Sequence, residues 1–130
     1  AAIFAPGGRP PAKGELLREI GEHEEAIKAF RAANREPDTT WAVTDCLIAM
    51  KQYPEAIKTV SQLKSVSGQA PRASLRIADI HRIAGDKARE VDQLRAVLKQ
   101  FPKSGESSEA HRRLESYGVA LVGGEAEAVE

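Results

Sequence analysis

Apolar residues recur along this chain at helical intervals. Ala26, Ile27, Phe30 and Ala33 follow an i, i+1, i+4, i+7 pattern, which is one stripe of a helix. Ala56, Ile57, Val60 and Leu63 repeat it, and Val91, Leu94, Leu98 and Phe101 form a third stripe. The intervening segments carry stripes of their own: Leu16, Leu17 and Ile20, then Val43, Leu47 and Met50, then Ile77, Ile80 and Ala84. Nowhere is there a sustained two-residue alternation, the mark of a half-buried strand. Turn residues cut the pattern at Gly21, Pro37-Asp38, Gly68 to Pro71, Gly85-Asp86, Pro102 to Gly105 and Gly118. The pieces left between them run about ten to fifteen residues, a helical length. Starts and stops agree. Pro54 suits a first turn, where its missing N–H costs nothing, and Pro102 follows the last apolar residue of its segment. Gly85 can take the left-handed conformation that closes one helix, and Asp86 can cap the next. The pattern predicts six helices in three antiparallel hairpins, then a seventh from about Ser107 to Tyr117. Each helix is amphipathic and short, so each must lie against a neighbour.

The chain also repeats a phrase. "HEEAIKAF" at residues 23–30 returns as "YPEAIKTV" at residues 53–60, and Lys51 to Ile57 lies 34 residues before Gly85 to Val91. In each unit a small residue (Ala26, Ala56) lets the second helix approach its partner, and a large one a turn later (Phe30, Val60) fills the space above it. One hairpin cannot bury both faces of its helices, so hairpins must stack, and a repeated phrase supplies the next layer. A helix-turn-helix unit of 34 residues with this small-to-large spacing resembles the tetratricopeptide repeat family. Ala26, Phe30 and Pro37, Ala56 and Val60, and Gly85, Leu94 and Pro102 carry the resemblance, which covers residues 14–117. It implies an all-α fold, a right-handed superhelical stack of antiparallel helix pairs, with about three hairpins and a terminal helix. Residues 1–13 are then expected to be a linker or flexible segment, and 118–130 a flexible acidic tail. The chain departs from the pattern in two places. The first two units are 30 residues apart, not 34, so a turn must come out near Pro37. Glu90 stands where the small residue belongs, and a buried unpaired carboxylate is expensive, so it must reach an edge or a cation.

Composition narrows the function more than the fold. The 130 residues hold 19 basic and 19 acidic side chains, so net charge is zero, with none of the surplus cation that phosphate binding requires. Aromatics are 5%, too few for stacking platforms, and no apolar run approaches the roughly 20 residues that span a bilayer. Neither nucleic acid nor a membrane span is expected. The chain opens on Ala1, as a processed or excised piece would. The single cysteine, Cys46, excludes an internal disulfide and reads as small packing. The stretch "FPKSGESSEAHRRL" is similar in composition to repeat junctions of bacterial envelope lipoproteins, which keeps the periplasm beside the cytoplasm as a compartment.

No catalytic constellation stands out. His23, His81 and His111 lack companions at metal-ligand spacing, and the glycine pairs at 7–8 and 123–124 lack the strand and helix that frame a phosphate loop. A non-catalytic protein without metal or cofactor is the expectation. What remains is surface. The resemblance implies that the first helix of each hairpin lines the concave side. Its candidate partner-binding residues are Trp41, Asp45 and Ile48 on the second pair, Arg72, Leu75, Arg76, Asp79 and Arg82 on the third, and Arg113 on the last helix, with Glu109 beside it. Such a face offers an aromatic anchor and a basic stripe to a protein or peptide, anionic if the stripe is free. It is a solvated face instead if Asp45 and Asp79 pair off the arginines, with Trp41 closing the core between the first two hairpins, and charge runs on helices are usually solvation. The family's peptide clamp uses lysines and asparagines on these helices. Trp41 with Asp45 and Leu75 with Asp79 stand there instead, which argues against a receptor for a chaperone's terminal carboxylate. The alternatives to partner capture are homo-oligomerisation, through the apolar stretch Val119 to Val122, and a spacer role within a larger protein.

Overall fold

The computed structural model describes residues 12–119, and the expected N-terminal linker and C-terminal tail fall almost wholly outside them. Seven α-helices follow in order: α1 (Lys13–Glu19), α2 (His23–Ala33), α3 (Asp38–Ala49), α4 (Tyr53–Ser61), α5 (Ala70–Ile83), α6 (Lys87–Gln100) and α7 (Gly105–Tyr117). A 3-10 turn at Gln62–Ser65 extends α4, and there is no strand among the described residues. The helices pair as α1/α2, α3/α4 and α5/α6, each packs on the next, and α7 touches both α5 and α6. The chain is an all-α superhelical stack of helix hairpins.

Local chemistry sets the boundaries. Pro54 lies in the first turn of α4. Gly85 has φ +85°, a left-handed value that side chains resist, and Asp86 beside it accepts the Arg89 N–H at 3.1 Å as the cap of α6. Ser104 caps α7 in the same way, accepting from the Ser107 N–H at 3.0 Å, and this cap starts α7 two residues ahead of the expected Ser107.

Two clusters form the core. The larger joins Ala26, Ile27 and Phe30 to Trp41, Val43 and Leu47 of α3, to Ala56 and Val60 of α4 and to Ile77 and Ile80 of α5. The smaller, Ala78, Val91, Leu94, Val97, Ala110 and Leu114, binds α5, α6 and α7. Phe30 reaches its site because α1 presents Gly14 to it; a Cβ there would lie 2.8 Å from the ring. Burying that ring contributes roughly 1.5–3 kcal/mol. The expected stripes do not all bury. Leu16 is 37% and Ile20 71% exposed, and Ala33 faces solvent, because the first hairpin has no neighbour on its outer side among the described residues.

Candidate interaction groove

Six of the nine candidate residues line one open cleft of about 270 Å³: Trp41 and Asp45 from α3, with Arg72, Leu75, Arg76 and Asp79 from α5. Their spacing is why they meet. Steps of three and four put 41 and 45 on one side of α3, and 72, 75, 76 and 79 on one side of α5. Ile48 lies half-buried against the larger core cluster, while Arg82 and Arg113 stand beyond the cleft.

Trp41 is only 8% exposed. Its indole N–H donates to Gln69 Oε1 at 2.8 Å, and the Arg72 guanidinium sits over its ring at 4.0 Å. The tryptophan sits in the buried cluster shared with Ala26, Ile27 and Phe30 of the first hairpin, and its bond to Gln69 also ties that core to the third hairpin. The stacking fixes the Arg72 guanidinium over the ring, and such a contact is worth about 0.5–1 kcal/mol near a surface.

The rest of the basic stripe is extensively paired. Arg76 donates to Asp45 at 3.0 Å and to Asp79 at 3.4 Å. Arg113 meets Asp79 at 2.6 Å, Glu109 at 3.0 Å and Glu90 at 3.3 Å. Arg82, half exposed, lies 3.9 Å from Asp79 and 4.0 Å from Glu90, and Arg18 of α1 reaches Asp45 at 4.0 Å. Burial alone would lower the Arg113 pKa, but its bonds to Glu109 and Asp79 outweigh that, so the value is raised and the guanidinium stays charged. Glu109 is pulled down by its bonds to Arg112 and Arg113. Cys46 is fully buried and its thiol pKa is pushed up by that burial, so it carries little thiolate at neutral pH.

Three contributors were not in the sequence-derived set. Gln69 orients the tryptophan, and Arg18 extends the charge network onto α1. Tyr117 donates its hydroxyl to Glu90 at 2.8 Å. One signal for the network was present: Asp45, Asp79 and Arg113 fall at successive 34-residue steps, so the last helix changes sign at the position where the preceding two are acidic. A second cleft of about 380 Å³ opens between α1, the end of α2 and the start of α3, with Phe30, Arg18, Arg35 and Asp38 among its walls. Among the described residues no helix is long and apolar enough to cross a membrane.

The third hairpin carries the family likeness. Residues 72–104 match the family model described as the tetratricopeptide repeat. This stretch is similar to a tetratricopeptide repeat. It carries four of the six cleft residues, so the family match falls on the groove itself. Solved structures extend the likeness to the whole stack. PcrH from Pseudomonas aeruginosa is 20% identical at a TM-score of 0.55, over 79% of this chain and 84% of its own. The type III secretion chaperone SycD from Yersinia enterocolitica, solved with a peptide of the translocator YopD, is 22% identical at 0.58, over 79% and 82%. PcrH with the chaperone-binding region of PopB is 19% identical at 0.55, over 76% and 86%. At these identities the likeness is one of fold alone, a stack of helix hairpins. Comparison with curated protein sequences gives no significant match.

Proposed function

We propose that this chain is a non-catalytic protein-interaction module that holds a peptide or protein segment in the groove formed by α3 and α5. The cleft carries the proposal: on two successive first helices, helical spacing sets the four charged side chains Asp45, Arg72, Arg76 and Asp79 around the apolar Leu75 and Trp41. Solved relatives of the same fold hold partner segments: SycD a peptide of YopD, and PcrH the chaperone-binding region of PopB. The charges also favour a partner of one sign at one point. Asp45 and Asp79 occupy Arg76, and Arg113 is enclosed by three carboxylates. Arg72 is exposed, stacked on Trp41, and forms no ion pair among the described residues. A guanidinium held flat in this way presents its edge to a carboxylate without first having to be ordered. The partner segment therefore sets an acidic residue at Arg72 and an apolar one on Leu75.

A phage-displayed library of random dodecamers provides the probe. Binders are expected to be enriched in adjacent acidic and apolar residues, and Arg72→Glu should weaken them by about tenfold or more while the melting temperature stays close to that of the parent. Recovery of no binders, or of binders indifferent to Arg72→Glu and Leu75→Asp, refutes the groove.

A further inference from the structure

Glu90 occupies the position that alanine holds in the first two hairpins, three residues into the second helix, as Ala26 and Ala56 do. All three are buried, Glu90 to 1% exposure. Its carboxylate accepts from the Tyr117 hydroxyl at 2.8 Å and from Arg113 at 3.3 Å, both on α7, with Arg82 of α5 at 4.0 Å. Arg113 then bonds Asp79 at 2.6 Å, Asp79 holds Arg76 at 3.4 Å, and Arg76 bonds Asp45 at 3.0 Å. An unbroken line of charged partners runs from the inside of α6, through α7, to the wall of the cleft. A carboxylate buried this deeply is costly unless paired, and Ala26 and Ala56 show that the position has an uncharged solution.

We infer that Glu90 is a positioning residue for the groove: by holding Arg113 it orients Asp79, and through Asp79 it orients Arg76 on the cleft wall. Glu90 touches no part of the cleft and acts only through its neighbours. Its effect on a partner rests on the binding reading above, whereas the coupling from Glu90 to Arg76 does not.

The test compares the parent with Glu90→Gln and Leu94→Ala, using nitrogen-edited NMR of the arginine guanidinium groups. Glu90→Gln keeps the shape and removes the charge. Leu94→Ala disturbs the same helix at a fully buried apolar site and leaves the charged line intact. The guanidinium signals of Arg113 and Arg76 should both move in Glu90→Gln, and those of Arg76 should stay in place in Leu94→Ala. Peptides selected on the parent should bind Glu90→Gln roughly fivefold more weakly or worse, the scale of a coupling between separate sites. If Arg113 shifts while Arg76 does not, or if Leu94→Ala moves Arg76 equally, the inference fails. Should Glu90→Gln not fold, Tyr117→Phe, which removes only a donor to Glu90, must move both signals in the same direction by a smaller amount. Movement of Arg76 in a chain that selects no peptide upholds the positioning role and refutes only the binding site.

Discussion

The first two hairpins and the third solve one packing problem by opposite means. At the close-contact position of the second helix, Ala26 and Ala56 are fully buried and let apolar neighbours meet: Phe30, Trp41 and Val60. Glu90 is as deeply buried, and α7 supplies it with a phenol and a guanidinium. The early joints of the stack are oily, and the last one has a charged centre beside the Leu94–Leu114 cluster. A repeat position therefore constrains depth more tightly than chemistry. At Glu90 a carboxylate is accommodated because the next helix brings it donors.

Transplanting the glutamate gives the largest expected effect. Ala56→Glu would bury a carboxylate where the side chains that pack are apolar, and overfill the joint as well. The expected loss is about 4 kcal/mol or more, enough to unfold much of the population of a marginal domain. Urea denaturation reads it directly. A loss below about 1 kcal/mol would mean that the early joints also accept charge, and the contrast between the two kinds of joint would collapse.

Removing the cation from the last joint comes next. Arg113→Ala strands Glu90 at 1% exposure with Tyr117 as its remaining close donor, at an expected cost of about 3 kcal/mol. Glu90→Ala should cost less, because Arg113 keeps Asp79 and Glu109 and alanine is the residue that the other hairpins use. Equal losses in the two variants, measured by the same denaturation, would show that the joint depends on packing volume and not on the charges.

These contrasts mark how far the sequence could be read. The hairpins, the turn at Gly85, the Asp86 cap and the first-turn Pro54 were legible because each depends on a few adjacent residues. Glu90 was legible as a problem, since a charge at a small-residue position announces itself. Its solution was not, because whether Arg113 and Tyr117 reach it depends on where α7 docks. The groove was legible as a set of residues at helical spacing, with Asp45 and Asp79 pairing off arginines as one of its two readings; helical spacing does not say that both aspartates take Arg76 while Arg72 lies on an indole. Leu16 and Ile20 misled for a simpler reason. Periodicity tells which face of a helix is apolar, and at the end of a stack no neighbouring hairpin remains to cover it.

The smallest effect is the most diagnostic. Tyr117→Phe removes one hydrogen bond from a half-buried phenol to the buried Glu90 carboxylate, so its cost near neutral pH should be about 1.5 kcal/mol. The phenol pKa is raised, first by burial and then by the bond and the charge of Glu90, with Arg113 and Arg82 opposing. A group whose folded pKa lies above its unfolded value contributes stability that is fully present below the ordinary phenol range. That contribution is lost as the pH climbs through the folded value. The stability gap between the parent and Tyr117→Phe should therefore stay constant from neutral pH to about 9 and narrow above about 10. The Lys87 ammonium lies 4.2 Å from the Tyr117 ring and contributes to the difference separately. Lys87→Gln in both backgrounds removes that contribution. A gap that widens with pH would mean that ionised Tyr117 is stabilised by Arg113 and Arg82, and that the cations rather than the carboxylate dominate the last joint.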